Sequence, residues 1–411
     1  MSGHSLVPLR DLILESQNGL TKRSGADGME TPVLRLANIT AGSIDESDPR
    51  EIRLTAKELA KYALQLGDLV CIRVNGSKAL VGRVIQFRAN RVWAYCDHFI
   101  RLRPNQALVD HRYLAHYFNS QTVRRHIELN MVSSAGQNTV SQGTMLDIPV
   151  PCPGLEVQRE IVAELEKQFS RLDEAVANLQ RVKANLKRYK ASVLKAAVEG
   201  HLVETGGCWR QVKLGEVAMS VRNGYSHKPD AESGTRIFRI SAVRPMELAA
   251  DDVRYLSGST ADYDTFLAVA GDVLFTRYNG SRDYVGVCAQ VPKGLPPTVY
   301  PDKLIRVRVP IDKLLPAFLV ISASTGQGRE FIESMIRTTA GQSGVSGSDI
   351  KAIPLSIPTM AEQTRIVAEV DRHLSIIREV EAEVDANLKR AQALRQSVLS
   401  ITFQAIKETD Q

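Results

Sequence analysis

The sequence is poor in the features that mark secreted, membrane-spanning and metal-binding proteins. It has five cysteines in 411 residues, and no two are spaced as C-x-x-C, so neither a zinc site nor a disulfide framework is predicted. No apolar run reaches the roughly 18 residues that a membrane span needs, and residues 1–8 do not resemble a signal peptide. These absences favour a globular protein of the reducing cytoplasm.

The sequence also lacks the common signatures of catalysis. It contains no G-x-x-x-x-G-K-[ST] phosphate loop, no G-x-G-x-x-G after a predicted strand, no H-E-x-x-H and no Asn-Pro-Pro-aromatic segment. We interpret the cluster of Cys96, Asp97 and His98 as packing or a turn rather than as a nucleophile and its base. The sequence therefore predicts no catalytic residue, no metal and no cofactor in this chain.

The charge balance is mildly basic. Lysine and arginine number 52 against 46 aspartates and glutamates, a formal net charge of +6. The excess lies in residues 1–359, and the remaining C-terminal segment is acidic. This balance suits a polyanionic partner, but many proteins without one share it.

An internal repeat sets the organisation of the chain, because short motifs recur in the same order at an offset of 204–205 residues. A period of this length indicates two copies of one domain-sized unit, each a globular part followed by a helical part. The matched segments are 18–20 with 223–225, 34–36 with 238–240, 67–70 with 271–274, 75–77 with 279–281, 81–82 with 285–286, 100–103 with 305–308, 135–137 with 340–342, 140–141 with 345–346, 148–149 with 353–354 and 161–164 with 366–369.

Two long helices are predicted at 155–201 and 360–411, where apolar residues repeat every seven positions. The prolines at 149, 151 and 153 precede the first helix, and Gly200 is a plausible C-cap. The main series of apolar positions is Leu165, Leu172, Leu179, Leu186 and Val193 in the first helix, and Val370, Ile377, Val384, Ala391 and Val398 in the second. A second series is Ile161, Ala175, Val182, Tyr189 and Ala196, then Ile366, Val380, Leu394 and Ile401, interrupted at Gln168, His373 and Asn387.

Neither helix, at about 60 Å for about 40 residues, can bury its apolar stripe alone. We expect the two to pair in one chain as an antiparallel coiled coil with a pseudo-two-fold axis. Parallel pairing between two chains is the rival arrangement. His373 and Asn387 would either fix the register of the helices or lie at the rim of their interface.

The globular parts, about 5–150 and 210–355, are predicted to be α+β with an irregular, partly barrel-like sheet. Residues 67–74 and 271–278 indicate a turn followed by a strand. The Asn-Gly pairs at 75 and 279 indicate turns, since Asn-Gly tolerates a positive φ. Residues 110–130 and 312–336 are predicted to be helical.

Polar and basic residues at turns and strand ends are the candidates for contact with nucleic acid, since Lys and Arg bind phosphates while Arg, Asn, Gln and Ser read base edges. Each of them could instead be a solvated or structural side chain. In the first copy they are Lys22, Arg23, Arg73, Asn75, Ser77, Lys78, Gln137 and Ser141. In the second copy they are Arg222, Lys228, Arg277, Tyr278, Asn279, Ser281, Arg282, Gln342 and Ser346.

The duplicated series of motifs resembles the specificity subunits of type I restriction-modification systems over essentially the whole chain. It runs Gly-Asp and an apolar strand, Asn-Gly-Ser, Ala-Gly-Gln with Val-Ser, Ile-Pro, and a Gln-x-x-Ile-Val helix, twice over. The resemblance implies target recognition domains at 1–154 and 202–359, each reading one half of an asymmetric split site in double-stranded DNA. It implies conserved helical regions at 155–201 and 360–411, which set the spacer between the half-sites.

The same resemblance implies partners and a division of labour. The helical regions would bind two methyltransferase subunits, which hold S-adenosylmethionine and methylate adenine, and a motor-nuclease restriction subunit would join for cleavage. The chain itself would be non-catalytic. Two departures question equal docking by the two helices: Val157 stands before Gln158 where Glu362 stands before Gln363, and residues 401–405 depart from the family's usual helix end. A coiled-coil adaptor that binds only proteins is the alternative function.

Overall fold

The computed structural model describes residues 6–40, 43–89, 91–339 and 341–408. The chain forms two compact units, one made of residues 1–179 and 385–411 and the other of residues 180–384. Each unit therefore combines a globular part with segments of both long helices. The predicted domain boundaries at 154, 201 and 359 stay a prediction, as does the pseudo-two-fold axis. Ala340, in one of the repeated motifs, lies outside the described residues.

Unit 1 is a mixture of short strands and helices. Its strands are β1 (Leu6–Pro8), β2 (Ile13–Asn18), β3 (Met29–Leu34), β4 (Ile39–Thr40), β5 (Ser43–Ile44), β6 (Arg50–Leu54), β7 (Leu69–Ile72), β8 (Val74–Asn75), β9 (Val84–Gln86), β10 (Ala94–Tyr95), β11 (Phe99–Pro104), β12 (Val132–Ser134), β13 (Gln137–Thr139) and β14 (Pro149–Pro151). Its helices are α1 (Ala56–Tyr62), α2 (His111–Phe118), α3 (Gln121–Asn130), α4 (Gln142–Leu146) and the first part of α5 (Leu155–Val198).

Unit 2 has the same kind of composition. Its strands are β15 (Arg210–Lys213), β16 (Ser220–Asn223), β17 (Thr235–Phe238), β18 (Val243–Arg244), β19 (Glu247–Leu248), β20 (Val253–Leu256), β21 (Leu267–Ala268), β22 (Val273–Thr276), β23 (Tyr278–Asn279), β24 (Cys288–Gln290), β25 (Thr298–Val299), β26 (Leu304–Arg308), β27 (Arg337–Thr339), β28 (Gln342–Gly344) and β29 (Pro354–Ile357). Its helices are α6 (Leu214–Val217), α7 (Pro316–Ser324), α8 (Gly326–Met335), α9 (Gly347–Lys351) and the first part of α10 (Met360–Glu408).

The two units share a sheet topology, as the internal repeat predicts. An antiparallel sheet has the order β2-β11-β7-β9 in unit 1 and β16-β26-β22-β24 in unit 2. A strand pair closes each globular part next to the long helix, β1 with β14 and β15 with β29. A parallel pair also recurs, β3 with β10 and β17 with β25. The α+β prediction is confirmed, although several small sheets replace the single barrel-like sheet that was expected.

The repeated Gly-Asp and Arg motifs form a buried ion pair in each central sheet. Asp68 accepts hydrogen bonds from Arg103 at 2.8 Å, and Asp272 accepts from Arg308 at 2.7 Å. Both carboxylates are almost fully buried, and Arg103 holds its charge more firmly because the hydrogen bond to Asp68 raises its pKa. A buried carboxylate without its partner would be costly, so each pair fixes the register of its sheet.

The predicted local elements are largely confirmed. Strand β7 lies inside the predicted turn and strand at 67–74, and β22 lies inside its counterpart at 271–278. The helical segment predicted at 110–130 is two helices, α2 and α3, and the segment at 312–336 is α7 and α8. The helices are separated at residues 119–120, and Tyr117 and Val123 on either side of this break are both buried.

The two long helices pair in antiparallel fashion within each unit. In unit 1, Arg395 of α10 pairs with Asp173 of α5. In unit 2, the Tyr189 hydroxyl of α5 lies 2.9 Å from Nδ1 of His373 of α10. The rival arrangement, in which two chains supply parallel helices, is not the one adopted. His373 is therefore a polar position at the helix interface, whereas the Asn387 side chain accepts from Arg390 of its own helix.

The main apolar series is covered as predicted, but the second is covered only in part. All ten positions of the main series, from Leu165 and Val193 to Val370, are buried or half-buried. Ile366 is fully buried, because the globular core of its unit packs on it. The prediction is wrong for the exposed members of the second series, which are Ala175, Val182, Tyr189, Leu394 and Ile401. Tyr189 still contacts His373 of the other long helix, whereas Val182, Leu394 and Ile401 are exposed without covering that helix.

A buried glutamine fixes the start of each long helix. The Gln158 amide accepts from the Asp110 backbone N–H at 2.8 Å and donates to the Pro153 carbonyl at 2.7 Å. Gln363 repeats both contacts with Leu315 and Pro358, at 2.8 and 3.0 Å. The neighbouring Glu362 accepts from the Gly206 backbone N–H at 2.8 Å. Val157, at the matching position, is exposed.

None of the helices in the described ranges combines the length and the apolar character that a bilayer span requires.

Candidate nucleic-acid interface

A close approach between two backbone segments underlies the repeated Asn-Gly motif at 18–19 and 223–224. A Cβ atom on Gly19 would lie 2.1 Å from the carbonyl oxygen of Cys96, and one on Gly224 would lie 2.2 Å from that of Tyr300. Only glycine fits at such distances. Leu20 forms a parallel β-bridge with Cys96, and Tyr225 forms one with Pro301. The segment after each glycine therefore lies beside the turn that precedes β11 in unit 1 and β26 in unit 2.

In unit 1 this contact gathers positive side chains around Asp97. The guanidinium of Arg23 lies 2.9 Å from the Asp97 carboxylate, and the hydrogen bond between them raises the pKa of Arg23. Arg73 donates to the Asp97 backbone carbonyl at 3.2 Å, and the His98 ring nitrogen lies 3.4 Å from the carboxylate. Two of the predicted site residues, Arg23 and Arg73, are thus brought together.

The cluster of Cys96, Asp97 and His98 has the geometry of a turn, as the sequence predicts. Burial raises the pKa of the Cys96 thiol, which disfavours the thiolate that a nucleophile needs. The ligand atoms of the three residues lie within 4.8 Å of one another. The Asp97 carboxylate is already paired with Arg23, and the surrounding cations oppose the entry of a metal ion.

A groove of about 350 Å³ lies beside this turn. Its charged lining includes Lys22, Arg23, Arg35, Arg50 and His98, over an apolar floor that includes Val33 and Ile52. We call this set of residues the basic groove. The Glu58 carboxylate lies 2.9 Å from Lys22, and hydrogen bonding to that lysine lowers the pKa of Glu58 to about 2.

The remaining arginines of the basic groove keep their charge uncompensated. Arg35 donates to the Asp48 backbone carbonyl at 3.3 Å, and Arg50 donates to that of Arg23. Neither forms an ion pair with a carboxylate in the described part of the chain. A backbone carbonyl orients a guanidinium without neutralising it, so the groove attracts anions.

Unit 2 places positive residues at the matching positions. Arg254 pairs with Ile237 across antiparallel strands, as Arg50 pairs with Val33 in unit 1. The internal repeat also matches Lys228 to Arg23, Arg239 to Arg35 and Lys303 to His98. Lys228, Arg254 and Lys303 are exposed, and no carboxylate pairs with them in the described ranges. Arg239 lies 3.6 Å from Asp252.

Sequence reasoning missed six of these basic residues: Arg35, Arg50, His98, Arg239, Arg254 and Lys303. Arg50 and Arg254 lie inside strands, His98 and Lys303 directly precede strands, and Arg35 and Arg239 directly follow strands. A signal was available, because Arg35 and Arg239 occupy matching positions in one of the repeated motifs. Basic residues shared by the two copies are the pattern that would have found the set.

A second group of predicted residues lies on a small sheet of order β12-β13-β8 in unit 1. Asn75 lies opposite Asn138 in that sheet, and Gln137 is exposed directly after a left-handed turn at residues 135–136. Ser77 and Lys78 follow Asn75 and are also exposed. The structure therefore brings together Asn75, Ser77, Lys78 and Gln137 at one exposed edge.

Unit 2 repeats this edge with the sheet β23-β28-β27. Tyr278 and Asn279 pair with residues 344 and 343, which places exposed Gln342 beside them. The Arg277 guanidinium stacks over the Tyr278 ring at 4.7 Å. Ser281 and Arg282 are exposed in the following turn. We call the two groups, 75–78 with 137 and 278–282 with 342, the reading edges.

The Asn-Gly turns of the reading edges form without the positive φ that an Asn-Gly pair tolerates. Gly76 and Gly280 are absent from the described residues with positive φ. The Asn75 side chain accepts from the Ser77 backbone N–H at 2.8 Å, and that of Asn279 accepts from Ser281 at 3.0 Å. A side-chain turn of this kind closes without the left-handed conformation.

The other predicted site residues lie apart from the reading edges. The hydroxyls of Ser141 and Ser346 cap helices α4 and α9, accepting from backbone N–H groups at 2.9 and 3.1 Å. Arg222 is exposed on β16 opposite Arg306. A capping hydroxyl is already engaged, so Ser141 and Ser346 have a structural role whatever else they contact.

Comparison with known proteins identifies the chain's relatives. A family profile described as the type I restriction modification DNA specificity domain matches residues 9–187. The EcoKI specificity subunit of Escherichia coli (strain K12) is 31% identical over 387 residues, covering 90% of this chain and 81% of that protein. The chain belongs to the type I restriction enzyme specificity subunits.

Other comparisons with specificity subunits agree. The StySPI specificity subunit of Salmonella potsdam is 35% identical over 207 residues, covering 49% of this chain and 45% of that protein. A chain from a structural study of complex assembly and conformational transition of the type I R-M system has a TM-score of 0.74 at 17% identity, with 98% of each chain covered. The HsdS subunit from Thermoanaerobacter tengcongensis gives 0.54 at 17% identity, covering 98% of this chain and 97% of that one. These solved structures share the fold.

Proposed function

We propose that this specificity subunit reads an asymmetric split site in double-stranded DNA, with one unit for each half-site. The observation that carries the proposal is the pair of reading edges, which present base-reading side chain types at equivalent places in two similar units. Amide side chains suit adenine, and Arg and Lys suit guanine. The two edges share Asn, Ser and Gln at matching positions and differ at Val74 against Tyr278 and at Lys78 against Arg282. The differing positions and their surroundings are those that would distinguish the two half-sites.

The chain supplies recognition while its partners supply chemistry. The methyltransferase subunits would hold S-adenosylmethionine and methylate adenine, and a restriction subunit would join for cleavage. The family relationship supports these partners, and we expect two methyltransferase subunits because the unit is duplicated. The isolated chain should therefore show no methyltransferase or nuclease activity when S-adenosylmethionine is added.

The exposed apolar residues of the long helices, which we call the outward apolar stripe, are the proposed docking surface for the methyltransferase in each unit. Val182 on α5 is 39% exposed in unit 2, and Leu394 and Ile401 on α10 are 54% and 64% exposed in unit 1. Leu394 and Ile401 are seven residues apart and so lie on one helix face. Apolar side chains in such a row favour a protein partner, because large exposed apolar patches mark interaction sites.

The long helices are also proposed to set the number of unread base pairs between the half-sites. An insertion of seven residues into both α5 and α10 keeps each apolar stripe in phase. The lengthened protein should recognise the same half-sites with a longer spacer. An unchanged spacer would refute this role of the helices.

The direct test of the proposed function is methylation mapping of DNA treated with the purified complex of this chain and its methyltransferase. A split sequence with two different halves and a fixed gap is the expected product. Duplex binding without sequence preference would overturn the proposal and leave the protein-binding adaptor, which predicts no DNA complex at any salt concentration.

A further inference from the structure

We infer that the basic groove of unit 1 and the matching positions of unit 2 bind the phosphodiester backbone of DNA and read no bases. The inference rests on the proposed function, and it assigns a separate role to residues outside the reading edges. The matched set is Arg23, Arg35, Arg50 and His98 in unit 1, with Lys228, Arg239, Arg254 and Lys303 in unit 2.

The lining of the basic groove suits phosphates. Its polar side chains are cationic or imidazole groups, and its apolar lining includes Val33, Leu36 and Ile52. No Asn, Gln, Ser or Thr is among the described lining residues. The groove therefore lacks the amides and hydroxyls that offer a base edge both donors and acceptors, and its uncompensated cations match the negative charge of phosphates.

Basic charge recurs at matching positions of the two units. Two units that read different half-sites must differ at some of their base contacts, whereas a charge kept in both units suits the phosphodiester backbone that both half-sites share. Positive charge at the Arg35 and Arg239 positions, and at the Arg50 and Arg254 positions, is such a feature.

The two sets differ in how many of their positive charges are neutralised. In unit 1 the Arg23 charge is neutralised by Asp97 at 2.9 Å, and an imidazole, His98, occupies the place of Lys303. An imidazole carries less charge near neutral pH than an ammonium group. Unit 2, where Lys228 and Lys303 have no carboxylate partner in the described ranges, should hold the backbone with more charges than unit 1.

The test measures the salt dependence of DNA binding by the complex of the full chain with its methyltransferase. The slope of log K against log salt is negative, and each lost phosphate contact reduces its magnitude by about 0.9 for duplex DNA. The double variant R35A/R50A should therefore reduce the magnitude of the slope by about two, and R254A/K303A should do the same. Both should lose affinity equally for the recognised site and for unrelated duplex.

Gain-of-charge variants make the assignment sharper. Asp97→Asn removes the anion that neutralises Arg23, and His98→Lys copies unit 2, so each should increase the magnitude of the slope by up to about one. Lys303→His should reduce that magnitude. Arg125→Ala and Lys293→Ala remove exposed positive charges outside the matched set and should leave the slope unchanged.

The possible failures are distinguishable. Variants that keep the wild-type salt slope but lose or change one half-site would show that these residues read bases, which overturns the inference and leaves the proposed function intact. Variants with an unchanged slope and unchanged site would show that the set lies off the DNA, which also overturns it. If the wild-type complex has no preference for any duplex sequence, the proposed function itself fails. A circular dichroism melt on each variant separates these outcomes from misfolding.

Discussion

At the scale of single residues, two glycines hold the segments that carry the candidate DNA-binding cations. Gly19 and Gly224 allow a backbone approach that a Cβ atom, at 2.1 and 2.2 Å from a carbonyl oxygen, would prevent. The basic groove depends on this approach, because the chain passes from Gly19 directly to Lys22 and Arg23. Gly19 and Gly224 thus support the candidate interface through the backbone approach that they allow.

Replacing either glycine should destabilise its unit. Gly19→Ala and Gly224→Ala each force the two segments apart, at a cost of about 1–3 kcal/mol typical of overpacking. Urea unfolding measures the change. Gly154→Ala and Gly206→Ala are the matched controls, since nothing lies within 4 Å of an added Cβ there. Equal stability of all four variants would contradict the role given to the close approach.

The imidazole of His116 makes unit 1 sensitive to acid. Burial, with nearby Arg395, lowers the pKa of His116 to about 4 from 6.5, and its ring packs against Phe169 at 5.6 Å. Between these two values the unfolded chain binds the proton and the folded chain does not, so stability falls as the pH drops through this window.

We therefore expect His116→Phe to flatten the pH dependence of unfolding between about pH 6.5 and 4, because it removes the group that must be protonated on unfolding. Thermal melts at a series of pH values measure this. His201→Phe, which removes an exposed histidine, should leave the dependence as in the wild type. A wild-type slope in His116→Phe would show that another group causes the acid sensitivity.

At the scale of elements, the long helices are positioned by their buried glutamines. Gln158 and Gln363 each satisfy a backbone N–H and a backbone carbonyl of the adjoining globular part. This shared role explains why the glutamine recurs in both copies while its neighbour changes from Val157 to Glu362. Glu362 adds a contact to Gly206 that the first copy lacks.

Replacing either buried glutamine, Gln158 or Gln363, by leucine should lower the free energy of unfolding by about 1–3 kcal/mol. The reason is that the buried backbone N–H of Asp110 or Leu315 then loses its hydrogen-bond acceptor. Denaturant unfolding of Gln158→Leu and Gln363→Leu measures the loss. The control is Gln168→Leu, on the exposed face of α5, which should have little effect. Comparable losses of stability in all three variants would show that Gln158 and Gln363 do not position the long helices.

The outward apolar stripe should act in assembly and not in folding. Leu394→Glu and Ile401→Glu place charge on exposed positions of α10, so the melting temperature should stay within a few degrees. Binding of the methyltransferase, measured by calorimetry, should weaken at least tenfold, since charge on an apolar contact is strongly unfavourable. Gln396→Glu, exposed on the same helix, is the control. Undiminished binding would place the docking surface elsewhere.

The sequence predicts elements whose pattern is local and fails where the answer depends on packing. Seven-residue spacing predicts both long helices, and the main apolar series is covered. The same spacing cannot show which of two stripes meets the partner helix, so Leu394 and Ile401 are wrongly predicted to be covered. The break between α2 and α3 has no glycine or proline to announce it, since residues 119–120 are Asn and Ser.

The candidate interface is likewise predicted where its residues form a local pattern and missed where it depends on packing. Turn residues predict the reading edges, because Asn75 and Asn279 close their turns with their own side chains. Arg50 and Arg254 lie within strands, and in the sequence they look like ordinary exposed strand residues. Only strand pairing brings them beside the segments that follow Gly19 and Gly224. A comparison of basic residues between the two copies carries this information, whereas a search for turns does not.

At the scale of the whole molecule, the central claim is that two similar units read two different half-sites. Duplication gives each unit the same central sheet, the same buried Asp–Arg pair and the same basic positions. A protein built in this way can change one half of its target without altering the other.

The most direct measurement of this claim exchanges residues 1–154 for the corresponding segment of a specificity subunit with a different known target, and then maps methylation by the complex. The account predicts a hybrid site, in which one half-site takes the donor's sequence while the other half-site and the spacer are unchanged. A change in both half-sites, or in neither, would contradict it.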